Sequence, residues 1–167
     1  MKKLLQSEDI ISSRRQAPNL KHILTKVQFT MQEEIPSVKK CGDPRCGTCA
    51  YIEEGNTILL KSGMEIRANS SMNCKSENVI YCAICPTCKE FYIGQTGKLN
   101  ARVRVHKQQI KDPSVRNTPC CEHFAECGQG KFTLFPFYKL PNENEILRLA
   151  KEDHFIKLFQ PKLNRTQ

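Results

Sequence analysis

Ten cysteines in a chain of 167 residues limit the folds open to this sequence more than any other feature. A secreted domain would use them in disulfides, but the sequence does not open with a signal peptide and cleavage site. We therefore expect an intracellular protein whose reduced thiolates bind metal. No apolar run approaches the roughly 20 residues needed to cross a bilayer, so we predict a soluble protein without a membrane partner.

The first group of cysteines has a spacing that is moderately specific for a structural zinc site. Four thiolates are enough to close a tetrahedral zinc without water. Glycine, aspartate and proline near the first of them favour the tight turns that such a site needs. The sequence therefore predicts a zinc-binding module over residues 41–76, with a short hairpin of residues 57–60 and 64–67. Its predicted ligands are Cys41, Cys46, Cys49 and Cys74.

A second group combines a Cys-x2-Cys pair in a predicted hairpin turn with a His-x3-Cys pair on a predicted short helix. Ligands four residues apart on a helix can face one metal, so a second zinc would fasten the hairpin to the helix. The alternative is that some of these cysteines are free and buried, since Cys82, Cys120 and Cys121 are left over. The predicted ligands are Cys85, Cys88, His123 and Cys127.

The remaining pattern predicts an α+β fold with a small antiparallel three-stranded sheet flanked by helices, over residues 77–167. Residues 1–40 are basic and polar and are interpreted as a linker or arm. The elements follow the order β-β-α-α-β-α. Their predicted ranges are 78–84 and 90–93 for the first hairpin, 98–111 and 120–126 for two helices, 131–140 for the third strand and 142–159 for the last helix.

The charge balance favours nucleic acid as a partner. Lys and Arg number 26 against 17 Asp and Glu, which gives a formal net charge of +9. A surface with this excess attracts polyanions. The basic residues are scattered, however, so charge alone indicates such a partner only weakly.

Four polar side chains should converge beside the predicted hairpin. Tyr81 and Tyr92 lie on neighbouring strands. Gly94 follows, and its missing side chain lets another backbone or a phosphate come close. Arg102 and His106 are four residues apart, so they share one face of the next helix. Two phenols, a guanidinium and an imidazole can therefore meet.

Glu152 introduces a carboxylate into an apolar surface of the last helix, beside Leu149, Phe155 and Ile156. A buried carboxylate needs a partner, and a hard divalent cation such as Mg²⁺ is one solution. The alternative is an i, i+4 salt bridge with Arg148, worth a few tenths of a kcal/mol. On the residues alone, the salt bridge is the preferred interpretation.

Taken in order, these positions resemble the signature of the GIY-YIG nucleases, which include excision-repair and intron homing endonucleases. The signature positions are Val79-Ile80-Tyr81, Tyr92-Ile93-Gly94, Arg102, His106, Glu152 and Asn164. Further features resemble the endonuclease domain of Penelope-like retroelements in particular. They are the four upstream cysteines of the first group, Asn78 before Val79-Ile80-Tyr81, the two cysteines of the hairpin turn, Gln95-Thr96, Glu122-His123-Phe124, and Pro18-Asn19-Leu20-Lys21, which resembles the tail of a preceding reverse transcriptase.

The resemblance implies hydrolysis of a DNA phosphodiester, with a role for each residue. Tyr81 would act as general base on the attacking water, and His106 would handle its proton. Arg102 would neutralise the scissile phosphate, and Tyr92 would orient water or phosphate. Glu152 would hold one Mg²⁺ or Mn²⁺ that stabilises the leaving oxygen. Because a free phenol titrates near pH 10, the base needs a nearby cation, and Arg102 or the metal would serve.

Four further residues are predicted to contact nucleic acid. Gln95 stands where repair nucleases often carry a lysine, and Lys98 could supply that charge one turn later. Arg104 and Asn164 complete this set. Val79 replaces the first glycine of the signature, which is a common variant in the resembling elements.

The resemblance also implies a nuclear protein that nicks double-stranded DNA, so that the 3′-hydroxyl primes reverse transcription. Its partners would be that DNA, the reverse transcriptase domain of the same polyprotein and template RNA. The alternative is a zinc-dependent nucleic-acid-binding module without catalysis, in which the ordered Tyr, Arg and Glu positions are coincidence. Whether Glu152 points to Tyr81 and Arg102 distinguishes these readings.

Overall fold

The computed structural model of the chain describes residues 35–164. The predicted arm therefore lies mostly outside the described residues. Within them the chain forms two short strands and then an α+β unit, which confirms the predicted fold class and element order. The elements are β1 (Thr57–Leu59), β2 (Glu65–Arg67), β3 (Glu77–Ile84), β4 (Phe91–Lys98), α1 (Leu99–Lys111), α2 (Pro119–Glu126), β5 (Thr133–Lys139) and α3 (Glu145–Phe159).

The larger sheet places β3 in the centre, in the order β4-β3-β5, with both pairings antiparallel. Residues from Val79 to Ala83 on β3 are completely buried, and helices α1 and α3 contact both β3 and β4. A fully covered strand needs an unbroken apolar run rather than alternation, which matches its sequence. Tyr81 lies opposite Gly94 on β4 and Pro136 on β5.

Strand β4 is longer than its sequence predicts. It continues past Ile93 to Lys98 because its backbone pairs with β3 as far as Glu77. The added residues are mostly polar or glycine and have little intrinsic preference for strands, so pairing with the central strand decides their conformation. The extension places Gln95 on the sheet, where α3 can contact it.

Helix α3 begins at Glu145, three residues later than predicted. Asn144 is the N-cap, and its side-chain oxygen accepts a hydrogen bond from the Leu147 N–H at 3.0 Å. An asparagine side chain satisfies a free N–H of the first turn, which stabilises the helix start at this position. Across residues 35–164, no helix is long and apolar enough to span a membrane.

The cysteine-rich segment and the larger sheet belong to the same compact unit. The Glu53 N–H donates to the carbonyl of Leu134 on β5 at 2.9 Å. The side chain of Asn69 bonds both backbone groups of Lys139, at 2.8 and 3.1 Å. One hydrophobic core includes Val38 from the first segment and Phe135 from the sheet. The two predicted segments therefore stabilise each other, and their division into domains stays a prediction.

Candidate active site

The phenol of Tyr81 lies at the centre of a largely buried polar cluster. Tyr81 and His106 are both 0% exposed. The Tyr81 oxygen accepts a hydrogen bond from Arg102 Nε at 2.8 Å and lies 2.9 Å from His106 Nε2. Because Arg102 and His106 are one turn apart on α1, the helix presents both to the central strand. The structure thus brings together three of the predicted catalytic residues.

Burial sets the protonation states of this cluster. It raises the pKa of Tyr81 well above its usual value, although the Arg102 charge acts in the opposite direction. It also lowers the pKa of His106. Both shifts follow from the cost of placing a charge away from water. At neutral pH, therefore, a neutral phenol faces a neutral imidazole beside the cationic guanidinium.

Gly94 makes room for the phenol. A Cβ atom at this position would lie 2.6 Å from the Tyr81 hydroxyl oxygen and 2.6 Å from Cε1 of Tyr92. The side chains of Tyr81 and Tyr92 therefore occupy the space that the missing Cβ leaves, and the approach of a phosphate to Gly94 stays a prediction. The Tyr81 and Tyr92 ring centroids lie 6.4 Å apart, so the partly buried Tyr92 borders the same cluster.

We expect Gly94→Ala to reduce nucleic acid cleavage about a hundredfold, because moving a catalytic group by about 1 Å can cost that much. Crowding two rings should also destabilise the fold by about 1–3 kcal/mol. Cleavage kinetics and thermal unfolding would measure both effects. Gly97→Ala on the same strand is the matched control, since its Cβ would only touch Arg148 at 3.8 Å. Cleavage by Gly94→Ala within about threefold of the control would contradict this packing role.

Glu152 on α3 faces the same cluster. Burial raises the pKa of this carboxyl, while the Gln95 backbone N–H and the Arg102 charge act to lower it. Burial also raises the pKa of Tyr92 to about 12, and the Glu152 charge contributes to that shift. The hydrogen bond with the Gln95 backbone sets Glu152 against β4, and its charge acts on Arg102 and Tyr92. A carboxylate, a guanidinium and two phenols thus border one site.

Arg148 holds this part of α3 against the sheet. Its side chain is buried, and it donates to Gln95 Oε1 at 3.0 Å and to Asn78 Oδ1 at 2.9 Å. Among the described residues, the ion pairs do not include one between Arg148 and Glu152. The alternative salt bridge of the sequence analysis is therefore wrong. Arg148 instead fixes the helix one turn before Glu152.

The four residues predicted to contact nucleic acid differ in whether their side chains are exposed or already held by other residues. Lys98 and Arg104 are exposed, and Lys98 lies 3.7 Å from the Glu77 carboxylate. The Gln95 amide oxygen is bonded to Arg148, as described above. Asn164 bonds both backbone groups of Ile93 at 2.7 Å, so it fastens the C-terminal turn to β4. Lys98 and Arg104 are thus the freest of the four, and contact with nucleic acid stays a prediction for all of them.

The first cysteine group forms one cluster. The ligand atoms of Cys41, Cys46, Cys49 and Cys74 all lie within 4.8 Å of one another, and none is in a disulfide. Thiolates bound to one zinc at about 2.3 Å would lie within about 4 Å of each other. The Thr48 backbone N–H lowers the pKa of Cys46 to about 7. The donor set, its spacing and a ready thiolate fit a structural zinc.

The second predicted group also forms one cluster. The ligand atoms of Cys85, Cys88, His123 and Cys127 lie within 4.8 Å of one another. Cys88 Sγ is 3.1 Å from His123 Nε2, and Cys85 Sγ is 3.9 Å from Cys127 Sγ. Burial raises the pKa of Cys85, but backbone N–H groups in the turn outweigh it and lower the pKa overall. Zinc here would link the β3–β4 turn to α2.

The profile of the GIY-YIG catalytic domain matches residues 77–165, just over half of the chain. This chain belongs to the GIY-YIG family. The match begins at β3, spans the Tyr81 cluster and Glu152, and leaves out the first cysteine group. The domain is that of a nuclease, which hydrolyses phosphodiester bonds in nucleic acid. No curated protein and no solved structure shows significant similarity to the chain.

GIY-YIG nucleases use divalent metals, and Glu152 is the residue that fits such a cation in this domain. No basic side chain in residues 35–164 forms an ion pair with it. Burial raises its pKa more than the Gln95 backbone and the Arg102 charge lower it, so its charged form is only partly compensated. A hard cation held by an oxygen ligand would supply that compensation.

Two residues of this GIY-YIG site had no assigned role in the sequence analysis. Arg148 appeared only as a possible partner of Glu152, although it fixes α3 to the sheet. Cys121 appeared only as a surplus cysteine, but its sulfur lies 3.3 Å from His106 Nδ1. The contacts of Arg148 with the sheet and of Cys121 with His106 join residues that are not spaced at a helical or strand period, so no pattern in the sequence indicates them.

Proposed function

We propose that this protein is a metal-dependent DNA endonuclease that nicks double-stranded DNA. The observation that carries the proposal is the Tyr81 phenol held between Arg102 and His106 within a GIY-YIG domain. A phenol in a non-catalytic core would need only one hydrogen-bond partner. A guanidinium on one side and a neutral imidazole on the other suit a phenol that loses and regains a proton.

Tyr81 is fully buried in the free protein, so the proposal requires the DNA-bound site to admit the attacking water to its oxygen. That water attacks phosphorus and transfers a proton to Tyr81. Tyr81 can accept it because its own proton moves to His106 Nε2. Arg102 stabilises the phenolate, and it neutralises charge that grows on the phosphate oxygens. The bond between phosphorus and the 3′-oxygen breaks, and the leaving oxygen takes a proton from solvent. The products are a 3′-hydroxyl and a 5′-phosphate.

Glu152 would hold the Mg²⁺ or Mn²⁺, which when bound supplies positive charge to the leaving oxygen. Tyr92 borders the Tyr81 cluster and would orient the water or the phosphate. Lys98 and Arg104 would contact the DNA backbone, since both are exposed cations on a chain of net charge +9. Contacts of this kind carry little sequence information and weaken with salt.

The biological setting belongs to the same proposal. The resemblance to Penelope-like elements supports a nick whose 3′-hydroxyl primes reverse transcription in the nucleus. The partners would be target DNA, the reverse transcriptase domain of the same polyprotein and template RNA. Two cysteine clusters around a GIY-YIG core are consistent with that origin.

Incubation with supercoiled plasmid and Mg²⁺ or Mn²⁺ tests the activity. We expect the wild type to form open circles whose 3′ ends a polymerase can extend. Arg102→Ala should lower the nicking rate about a hundredfold or more, because the phenolate and the phosphate both lose their cation. Arg67→Ala, which removes an exposed arginine from β2, is the matched control. Salt-sensitive DNA binding without nicking by the wild type would instead favour the non-catalytic binding module.

A further inference from the structure

We infer that Cys121 is a positioning residue, whose thiol holds His106 in the tautomer that can accept the Tyr81 proton. The inference deepens the proposed function and rests on it, because it assumes that Tyr81 acts as the base. Both Cys121 and His106 are 0% exposed, so no water competes for the second ring nitrogen. The sulfur lies 3.3 Å from His106 Nδ1, on the side of the ring away from Tyr81.

A chain of hydrogen bonds sets the direction of this contact. The amide of the buried Gln109 donates to Asn117 Oδ1, so its Oε1 is turned towards Cys121. Gln109 Oε1 can only accept, so at 3.3 Å it is the nearer partner for the proton of the Cys121 thiol, while Cys120 Sγ lies 4.0 Å away. The hydrogen bond with Cys120 lowers the pKa of Cys121, and an ionised sulfur would likewise have no proton to give to His106. Sulfur can therefore only accept from His106. Nδ1 must carry the ring proton, and a neutral imidazole then has a bare Nε2.

The bare Nε2 is what the reaction needs. It lies 2.9 Å from the Tyr81 oxygen, which already accepts from Arg102. The Tyr81 O–H can then donate to Nε2 and pass its proton there. In the other tautomer, Nε2–H and Arg102 would both donate to the same oxygen. His106 could then accept no proton from Tyr81.

The same atoms could suggest a third metal site, since His106, Cys120 and Cys121 lie within 4.8 Å of one another. The hydrogen bonds of these three residues favour orientation of His106 over metal binding. A protonated Nδ1 has no lone pair for a metal, and Cys120 donates to Thr118 Oγ1 at 3.5 Å. All three residues are also fully buried, which leaves no water to complete a coordination shell. We therefore assign the cluster to orientation of His106.

The test combines nitrogen NMR of the His106 ring with cleavage kinetics, on the full chain with its zinc. We expect Nδ1–H in the wild type and in Cys121→Ser, since serine can accept from Nδ1 and donate to Gln109. Cys121→Ala should lose the single tautomer and lower kcat about tenfold with little change in KM. Cys82→Ala, which also removes a fully buried thiol, is the control and should keep the wild-type tautomer and kcat.

A second variant keeps the thiol and changes only its acceptor. In Gln109→Leu the S–H has no amide oxygen to bond, so it should turn to His106 Nδ1 and shift the ring towards the Nε2–H tautomer. This readout stays informative if Cys121→Ala does not fold.

An Nε2–H ring in the wild type, or wild-type tautomer and kcat in a folded Cys121→Ala, would overturn the inference. Absence of nicking by the wild type would count against the proposed function, while the ring tautomer would still decide the role of Cys121.

Discussion

Glu152→Gln should lower the DNA nicking rate about a thousandfold at saturating Mg²⁺ while the protein stays folded. Glutamine keeps the size of the side chain but removes the charge that would hold the cation. Preorganised charge at a developing oxyanion is worth about a hundredfold to a thousandfold in rate, and metal binding adds to that loss. Single-turnover nicking over a range of Mg²⁺ concentrations would measure the effect.

The same Glu152→Gln substitution should leave the stability of the metal-free protein unchanged or raise it slightly. Burial raises the pKa of Glu152 in the folded protein. The stability associated with this group is therefore present at low pH and is lost as pH rises through the raised pKa. At neutral pH the ionised carboxylate opposes folding, so Glu152→Gln should unfold at the same temperature as the metal-free wild type, or slightly higher. A residue that serves only the core would show the reverse.

Asp153→Asn is the matched control, because it makes the same change at the next position of α3. Asp153 is exposed and its only ion pair in the described structure is with Lys157. Its nicking rate and Mg²⁺ dependence should stay close to those of the wild type. If Glu152→Gln nicks at the control rate, Glu152 does not hold the catalytic metal.

Loss of zinc should have the largest effect on the fold. We expect Cys88→Ser to release about one zinc per chain and to lower the unfolding temperature by on the order of 10 °C or more. Binding energy of a structural zinc is folding free energy. The second cysteine group, to which Cys88 belongs, joins the β3–β4 turn to α2. Its loss should therefore also disturb β4, which carries Tyr92 and Gly94. Zinc content by atomic absorption and thermal unfolding by circular dichroism would measure both effects.

The two kinds of metal can be separated in the same experiment. Omission of Mg²⁺ should abolish nicking but leave zinc content and thermal unfolding unchanged. Cys82→Ala should retain both zincs, because Cys82 belongs to neither cluster. A wild type without bound zinc, or a Cys88→Ser protein with the full zinc content, would show that the second cluster is not a zinc site.

Several parts of this protein were accessible from the sequence because their physical causes are local. The sequence patterns of residues 78–84 and 98–111 predicted a strand and a helix that the structure contains. The Cys-x2-Cys and His-x3-Cys spacings predicted ligand groups that lie together. The ordered signature predicted a GIY-YIG domain, and the family match confirmed it.

Other parts depended on contacts between distant positions. Strand β4 extends to Lys98 because it pairs with β3, and not because of its own composition. Arg148 and Gln95 are 53 positions apart, and Asn164 and Ile93 are 71 apart. Contacts of this kind have no period that a sequence can display. They depend on which side chains become neighbours once the elements pack.

The sequence by itself determined the type and order of the elements, the cysteine and histidine groups that could hold metal, and the ordered residues of the nuclease signature, because spacing along a helix, strand or turn sets which side chains can act together. The tertiary structure alone decided what those residues do to one another. It buries Tyr81 against Gly94, turns Arg148 away from Glu152 and places Cys121 behind His106. Burial and hydrogen-bond direction, which set protonation states, exist only after the chain has folded.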